Sequence, residues 1–393
     1  MISYGRQCIS QSDIDEVIKI LKSELITQGP SVVNFENAIS EFSRANYCCA
    51  VNSATSALHI ACLALGLGKD DYLWTSPNTF VASANCALYC QAKIDFVDID
   101  PKYYTMCPNR LEDKLKIAKK NNLLPKIVVP VHYAGQPCDM EAIHALSKEY
   151  GFNLIEDASH AIGAYYLPKD DNSDEIKIGS CKHSDITVFS YHPVKIITTG
   201  EGGSATTNNP LLARKMEILR SHGIIRLDAE KNIKNDDEIW NYEQVELGFN
   251  YRLTDFQAAL GQSQLKRIDK FLRKRNQIAE YYDHNLKDLP IKIPLQRKGT
   301  SSSYHLYPIR INKSSPKNRK YVYKFLLENG IGVNLHYIPV HRHPFFEKMG
   351  FKIGDFPESE NFFREVISLP IHPGLEDSDL KKIISLLRTC LNG

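Results

Sequence analysis

Short apolar segments alternate with helical segments along the first half of the chain, and this alternation constrains the fold more than any other feature. Apolar runs suited to buried strands occupy residues 47–51, 72–75, 94–97, 127–131 and 154–156, and helical patterns occupy 55–65, 81–90 and 140–150. Such alternation predicts a mostly parallel sheet with helices on both faces. The helices drop out near 185–190 and 203–207, so returning strands should make the sheet mixed. We therefore expect an α/β domain.

The two ends of the chain carry different patterns. Ser12 and Asp15 predict the cap of a first helix, whose apolar face would carry Ile14, Val17, Ile18 and Leu21. A long helix is expected from Thr254 to about residue 286, with Gln257 completing a capping box. The later patterns predict a strand at 304–311, a helix at 317–328, a strand at 333–336 and a helix at 377–390, with a solvated loop at 169–175. We expect a large domain at residues 1–265, and a smaller α+β domain at 266–393.

Length, charge and cysteine usage narrow the class of protein. The 393 residues are enough for two or three domains, and the net charge of +2 comes with no basic block that would favour nucleic acid or a membrane surface. No apolar run approaches the roughly 18 residues that a membrane span needs, and residues 1–11 lack a secretion signal, so we expect a cytoplasmic protein. The ten cysteines show neither CxxC pairs nor zinc spacing, which favours reduced thiols and no metal site.

A turn rich in small hydroxyl residues is the first candidate site. The chain contains neither a G-x-x-x-x-G-K-[ST] loop nor a G-x-G-x-x-G fingerprint, so the two commonest nucleotide sites of α/β proteins find no support. Residues 52–58, with the sequence NSATSAL, instead join a strand to a helix. Free N–H groups at a helix N-terminus, together with hydroxyl groups, suit a phosphate. An ordinary N-cap without a ligand is the alternative.

A carboxylate and a lysine follow on later strands. Asp157 comes after Glu156 at the end of a buried strand, where a carboxylate requires a cationic or hydrogen-bonding partner; a structural ion pair or a helix cap is the alternative. Lys195 stands among apolar residues before a glycine-rich turn, where desolvation would lower its pKa and make the amine a nucleophile, although a lone lysine is usually a surface charge. Pyridoxal phosphate needs a phosphate anchor, a carboxylate for its ring nitrogen and an amine for its aldehyde. The three candidates together therefore predict this cofactor.

The chain also resembles a known family. Motifs at 26–30, 52–58, 77–80, 132–135, 156–160, 189–195, 248–253, 336–339 and 369–372 are similar to those of the DegT/DnrJ/EryC1/StrS sugar aminotransferases, and they span essentially the whole chain. The resemblance implies the aspartate aminotransferase fold, with a mostly parallel mixed sheet in a large domain and a smaller α+β domain. A dehydratase branch of the family has His in place of the lysine; Lys195 therefore favours amino transfer.

The resemblance implies a role for each candidate residue. Lys195 would bind the cofactor as a Schiff base and transfer the proton, and Asp157 would keep the pyridine nitrogen protonated. The remaining predicted contacts are Ala54, Thr55 and Ser190 at the phosphate, Phe80 stacked on the ring and His160 near the phenolic oxygen. Asn250, or Arg252 in its place, would reach the phosphate in the neighbouring subunit, which implies a homodimer with shared sites.

The substrates are implied by the same resemblance. The motifs favour L-glutamate as amino donor and C4 of a UDP-4-keto-6-deoxy-N-acetylhexosamine as acceptor, giving the L-altrosamine product on the route to pseudaminic acid. A D-epimer or bacillosamine-type substrate, another class of pyridoxal phosphate reaction, and a non-catalytic regulator of the same fold remain alternatives. The acceptor diphosphate could lie near basic side chains, or these could belong to polar loops; the candidates are Lys182, His183, His336, His341, Arg342 and His343.

Overall fold

A seven-stranded sheet forms the centre of the computed structural model, which describes residues 1–167, 174–226 and 242–392. Its strands are β1 (Tyr47–Val51), β2 (Tyr72–Thr75), β3 (Lys93–Phe96), β4 (Ile127–Val129), β5 (Asn153–Asp157), β8 (Ile186–Ser190) and β9 (Gly203–Thr207). The spatial order is β1-β9-β8-β5-β4-β2-β3, and only β9 runs antiparallel to its two neighbours. The predicted mostly parallel mixed sheet is confirmed.

Helices pack around this sheet because the apolar side chains of its strands need cover on both faces. Those in the first two thirds of the chain are α1 (Gln11–Leu21), α2 (Pro30–Ser43), α3 (Ala54–Ala64), α4 (Ala82–Tyr89), α5 (Pro108–Lys120), α6 (Met140–Tyr150), α7 (Pro210–Arg220) and α8 (Asp255–Leu265). The helix α3 contributes Ala57, Leu58 and Ile60 to the main buried cluster, in which Ile155 and Val188 represent the central strands. The short strands β6 (Tyr165–Tyr166), β7 (Ile176–Lys177), β10 (Ile224–Arg226) and β11 (Tyr242–Gln244) lie outside this sheet.

The last third of the chain builds a second, antiparallel sheet. It contains β12 (Ile291–Lys292), β14 (Tyr307–Ile311) and β15 (Val366–Leu369), whereas β13 (Thr300–Ser301) pairs with β6. The helices here are α9 (Ile268–Leu286), α10 (Arg319–Glu328), α11 (Pro344–Glu347), α12 (Pro357–Glu365) and α13 (Asp377–Asn392). All strands of the seven-stranded sheet precede residue 265 and all strands of this one follow it. The domain boundary near residue 265 remains a prediction.

The first helix differs from the sequence interpretation. The capping box that begins α1 consists of Ser10 and Asp13, about two residues earlier than the predicted pair. Asp13 is completely buried. Its carboxylate is satisfied there, since Ser263 Oγ (2.6 Å) and Gln264 Nε2 (2.8 Å) donate to it and Arg267 forms an ion pair with it. The one fully buried side chain of α1 is therefore a charged one. The predicted apolar face is substantially exposed, with exposed fractions of 43% for Ile14, 41% for Ile18 and 56% for Leu21.

Three further expectations need correction or fall partly outside the described residues. The capping box of Thr254 and Gln257 is present, but the expected long helix is divided into α8 and α9 by a break at residues 266–267. Arg267 at this break donates to the Cys8 carbonyl oxygen (3.2 Å) as well as to Asp13. The expected strand at 333–336 is reduced to a single bridge between Asn334 and Ser368. The predicted loop at 169–175 lies largely outside the described residues.

Two observations bear on function classes. Across the described ranges, no helix combines the length and the apolar character that crossing a bilayer requires. All ten cysteines are free thiols, and no cluster of His, Cys, Asp or Glu suited to a metal ion occurs in the part of the chain that the structure describes.

Candidate active site

A cavity of about 520 Å³ opens where the parallel strands β5 and β8 end and where helix α3 begins. Seven of the eight predicted site residues line it: Ala54, Thr55, Phe80, Asp157, His160, Ser190 and Lys195. They converge because Asp157 and Ser190 are the last residues of neighbouring parallel strands, so both reach the same edge of the sheet. The other wall comes from residues remote in sequence, among them Tyr4, His305, His336 and Tyr337.

The beginning of helix α3 offers backbone donors to this cavity. Ser53 is the N-cap, and its Oγ accepts the Ser56 N–H at 3.1 Å. The N–H groups of Ala54 and Thr55 donate to no acceptor among the described residues, as expected for the first turn of a helix. Free N–H groups at the positive end of a helix suit an anion such as phosphate. The ordinary N-cap therefore does not exclude an anion site: Ser53 caps the helix and the N–H groups of the next two residues stay available.

Gly203 on strand β9 is required for this helix start to lie close to the sheet. A Cβ atom at this position would lie 2.4 Å from Ala54 N and 2.6 Å from Ser53 C, and backbone atoms cannot move aside as a side chain can. We expect Gly203→Ala to lower the free energy of unfolding by about 1–3 kcal/mol through overpacking. Chemical denaturation measures this. Gly68→Ala is the matched control, because no atom lies within 4 Å of its Cβ position; equal effects of both substitutions would refute the close-approach argument.

Asp157 holds a buried carboxylate in the cavity wall. Its exposed fraction is 4%, Ser83 Oγ donates to Oδ2 at 2.6 Å and the Ser159 N–H donates to Oδ1 at 3.0 Å. It forms no ion pair with the residues that the structure describes. Both hydrogen bonds come from neutral donors, so the carboxylate remains available to a cationic ligand group.

Glu156 and Asp157 play different parts because successive side chains of a strand point to opposite faces. Glu156 accepts hydrogen bonds from His132 Nε2 (2.7 Å) and Ser184 Oγ (2.5 Å), away from the cavity. The histidine lowers the pKa of this carboxyl, although burial acts in the opposite direction. The structural-pair alternative considered for this strand end thus describes Glu156 and not Asp157.

Lys195 faces Asp157 across the cavity. Desolvation lowers the pKa of its amine from 10.5 to about 8, while the negative charge of Asp157 opposes this shift. A substantial fraction of the amine is therefore neutral near physiological pH and can act as a nucleophile. His160 and His336 in the cavity wall are uncharged: desolvation, reinforced by the charge of Lys195, lowers the pKa of His336 to about 3 and that of His160 well below its usual value.

The reactivity of Lys195 should follow this lowered pKa. In cofactor-free protein, reaction of Lys195 with an amine-directed reagent should have a midpoint near pH 8 instead of near 10.5, because protonated amine is unreactive below the midpoint. Peptide mass spectrometry after labelling across a pH series measures this, and the exposed Lys182 monitors reagent delivery in the same digest. A midpoint near 10.5 would show that the cavity does not desolvate the amine.

Asn250 is the one predicted site residue outside the cavity of its own chain. It is exposed and forms a single bridge with Ser221, and its carbonyl oxygen accepts from Asn52 Nδ2 at 3.4 Å. Its predicted contact with a neighbouring subunit remains a prediction, as does the alternative contact by Arg252.

The basic residues considered for the diphosphate are dispersed. Lys182 and His183 line a separate polar cleft beside Arg297, and His341 is fully buried and bonded to Glu360 at 3.1 Å. Only His336 among these candidates lines the cavity. The sequence interpretation missed Tyr4, Ser83, Glu201, His305 and Tyr337 as cavity residues. Tyr337, in the motif at 336–339, and Glu201, in the glycine-rich turn after Lys195, carried a signal. Tyr4, Ser83 and His305 are isolated in sequence and reach the cavity through the fold.

Comparisons with known proteins agree with this geometry. A transaminase of Campylobacter jejuni, named UDP-4-amino-4,6-dideoxy-N-acetyl-beta-L-altrosamine transaminase, is 39% identical over 397 residues, covering 100% of this chain and 98% of that protein. The solved structure of Helicobacter pylori PseC, described as an aminotransferase involved in the biosynthesis of pseudoaminic acid, has a TM-score of 0.86 at 31% identity and covers 100% of this chain and 99% of that one.

A third relative extends the agreement in fold. Another solved structure is that of Spr1654 from Streptococcus pneumoniae in its PMP form, described as a putative sugar aminotransferase. It has a TM-score of 0.88 at 28% identity and covers 100% of this chain and 99% of that one. The sequence model of the DegT/DnrJ/EryC1/StrS aminotransferase family matches residues 7–388. The family resemblance, the fold and the assignment as an enzyme are therefore confirmed: this chain belongs to the DegT/DnrJ/EryC1/StrS aminotransferase family.

Proposed function

We propose that this protein transfers the amino group of L-glutamate to C4 of a UDP-4-keto-6-deoxy-N-acetylhexosamine, giving the L-altrosamine product. The observation that carries the proposal is the arrangement of Lys195, Asp157 and the start of α3 around one cavity. The named activity of the C. jejuni relative supports the choice of sugar. L-Glutamate is proposed on the family resemblance.

Pyridoxal phosphate is the cofactor, as predicted: the family is one of aminotransferases, and Spr1654 is known in both a PLP and a PMP form. The residues present fit this group. The free N–H groups of Ala54 and Thr55 suit its phosphate, the Asp157 carboxylate suits a protonated ring nitrogen, and the Lys195 amine suits its aldehyde. When bound, the cofactor supplies an electron sink for the carbon that exchanges its amino group.

The side chains of the cavity then have separable tasks. Lys195 Nζ would hold the cofactor. After the amine of the donor has displaced it, the neutral Lys195 amine would accept the proton that leaves the amino-bearing carbon. The Asp157 carboxylate, held in place by the bonds from Ser83 and Ser159, would pair with the protonated ring nitrogen. Phe80, with 58% of its surface exposed in the open cavity, presents a ring face on which a flat cofactor can stack.

A panel of nucleotide sugars tests the proposal. Purified protein loaded with pyridoxal phosphate is incubated with L-glutamate and with UDP-4-keto-6-deoxy-N-acetylhexosamines of L and D configuration, and the products are identified by mass spectrometry and NMR. We expect the largest kcat/KM for the precursor of the L-altrosamine product. A preference for the D-epimer would change the substrate assignment, and failure of glutamate to convert the bound cofactor to its amine form would refute the amino donor.

A homodimer with shared sites is the second part of the proposal. Asn250 is exposed and lies outside the cavity of its own chain, which supports a contact made in a neighbouring subunit. If so, Asn250→Ala should lower activity, and its mixture with Lys195→Ala protein under conditions of subunit exchange should give about a quarter of the activity of the unsubstituted protein, above the mean of the two variants alone. This value follows because statistical exchange makes half of the dimers mixed, and one of the two sites in each mixed dimer is intact. No recovery after demonstrated exchange would place Asn250 in the site of its own subunit.

A further inference from the structure

The hydrogen bonds of His160 fix the position of its ring proton. The Ala134 N–H donates to Nδ1 at 3.2 Å, so Nδ1 must be the unprotonated, accepting nitrogen. Nε2 lies 3.0 Å from the hydroxyl oxygen of Tyr337. Because the imidazole is neutral, Nε2 carries its single proton and donates it to that hydroxyl. Both nitrogens of His160 are thus engaged within the protein.

The hydroxyl group of Tyr337 is left with its own proton. A phenolic hydroxyl offers one donor and two acceptor positions, and His160 occupies one acceptor position. Within the described ranges this hydroxyl makes no other hydrogen bond, and Tyr337 lines the cavity beside Lys195 and Asp157. Burial and the negative charge of Asp157 raise the pKa of Tyr337 far above its usual value, so the group remains a donor throughout the working pH range.

The orientation of the Tyr337 ring is fixed by its neighbours. The ring of His160 is nearly parallel to it, with centroids 6.1 Å apart and an interplanar angle of 17°, and His305 packs on His160 at 4.4 Å. Phe80, which bounds the open side of the cavity, lies 6.3 Å from Tyr337. Among the titratable groups, His160, His336 and Tyr133 lie beside Tyr337, and Asp157 and Tyr4 act on it electrostatically. A donor held this way can hydrogen-bond to a ligand in the cavity that Tyr337 and Lys195 both line.

We propose that the Tyr337 hydroxyl donates a hydrogen bond to an anionic oxygen of the ligand bound in this cavity. His160 is a positioning residue that acts through Tyr337. The inference rests on the proposed function. The anionic oxygen has two sources of the same chemistry: the phenolic oxygen of the cofactor or a carboxylate oxygen of the amino donor. The family resemblance implies that His160 lies near the phenolic oxygen; in this proposal His160 acts on that oxygen through Tyr337.

Tyr337→Phe removes the donor and little else. Loss of a hydrogen bond to a charged oxygen weakens binding by roughly tenfold to a hundredfold. If the oxygen is phenolic, the dissociation constant of pyridoxal phosphate, measured by spectral titration of cofactor-free protein, should rise by this factor. The midpoint of the pH titration of the visible band should also move to higher pH, because the phenolic oxygen becomes more basic. If the oxygen belongs to the amino donor, these two values stay unchanged and the KM for the donor rises.

Tyr323→Phe is the matched control. Its hydroxyl donates to the Val333 carbonyl oxygen at 3.2 Å, and the residue lies on α10 outside the cavity. This variant reports the effect of losing one tyrosine hydroxyl far from the ligand. Equal behaviour of Tyr337→Phe and Tyr323→Phe in all three measurements would overturn the inference while leaving the proposed function intact. Failure of the unsubstituted protein to bind pyridoxal phosphate would instead refute the function itself.

A double-mutant cycle tests the role of His160. If His160 acts through Tyr337, His160→Ala should change the ligand dissociation constant or KM strongly in the unsubstituted background and by less than about threefold in the Tyr337→Phe background. Additive effects would show that His160 contacts the ligand independently and would overturn its assignment as a positioning residue. Circular dichroism and thermal unfolding establish that each variant is folded before the comparison is made.

Discussion

Lys195→Ala should lower the rate of amino transfer by at least about 10⁴-fold, the largest effect expected for any single substitution in this protein. The variant loses both the nucleophile that attaches the cofactor and the base that moves the proton. Its cofactor should remain bound without covalent attachment, because the N–H groups of Ala54 and Thr55 and the carboxylate of Asp157 are unchanged. The measurements are steady-state turnover and the visible absorbance of the loaded protein, which should lose the band of the lysine-bound cofactor.

The control for this substitution is another lysine of the same region. Lys182 is exposed and lines the separate polar cleft, so Lys182→Ala should retain the band and the activity of the unsubstituted protein. A Lys195→Ala protein that keeps the lysine-bound band would mean that another amine attaches the cofactor. The assignment of Lys195 as the attachment site would then be wrong.

Asp157→Asn is expected to have the second largest effect, lowering turnover by about 10²–10⁴-fold. The asparagine side chain has nearly the same shape, and its amide oxygen can still accept from Ser83, but it carries no charge to keep a ring nitrogen protonated. The same change removes the negative charge that partly offsets the desolvation of Lys195. The pKa of Lys195 in cofactor-free protein should therefore fall further below about 8, which labelling across a pH series detects.

A second carboxylate, just before the neighbouring strand β8, provides the control. Asp185 precedes β8 and accepts the Leu154 N–H at 2.7 Å outside the cavity. Asp185→Asn should leave turnover within about twofold of that of the unsubstituted protein. It should leave the labelling midpoint of Lys195 within about a few tenths of a pH unit. If Asp157→Asn behaves in the same way, the carboxylate does not interact with a cationic group during the reaction.

The positions of the principal site residues could be predicted because they depend on local patterns. The ends of two buried strands and the start of one helix can be identified from apolar periodicity and from small hydroxyl residues. In a mostly parallel sheet these positions meet at one edge, so Thr55, Asp157 and Lys195 could be assigned to one site before any coordinates were known. The other half of the cavity, with Tyr4 and His305, has no local signal, because these residues approach only through long-range packing.

Errors arose where a buried polar contact replaced an expected apolar one. The apolar pattern of α1 predicted that Ile14 and Ile18 would be covered, but a buried Asp13 joins the helix to α8 instead. The break between α8 and α9 occurs where Arg267 contacts the same carboxylate. Propensity and periodicity describe how a helix buries apolar area. They cannot show where a distant partner satisfies a buried charge.

The sequence alone thus determined the α/β class, the mixed sheet, the family and its cofactor, because each depends on residue types at short or regular spacing. Only the tertiary structure decided that Glu156 pairs with His132 outside the cavity, and that His341 pairs with Glu360 while His336 lines the site. It also decided the proton position of His160, because that depends on a donor from Ala134 and an acceptor on Tyr337, more than 150 positions apart in sequence. Hydrogen bonds between remote groups require the fold to bring donor and acceptor within about 3 Å of each other, and no local pattern encodes that distance.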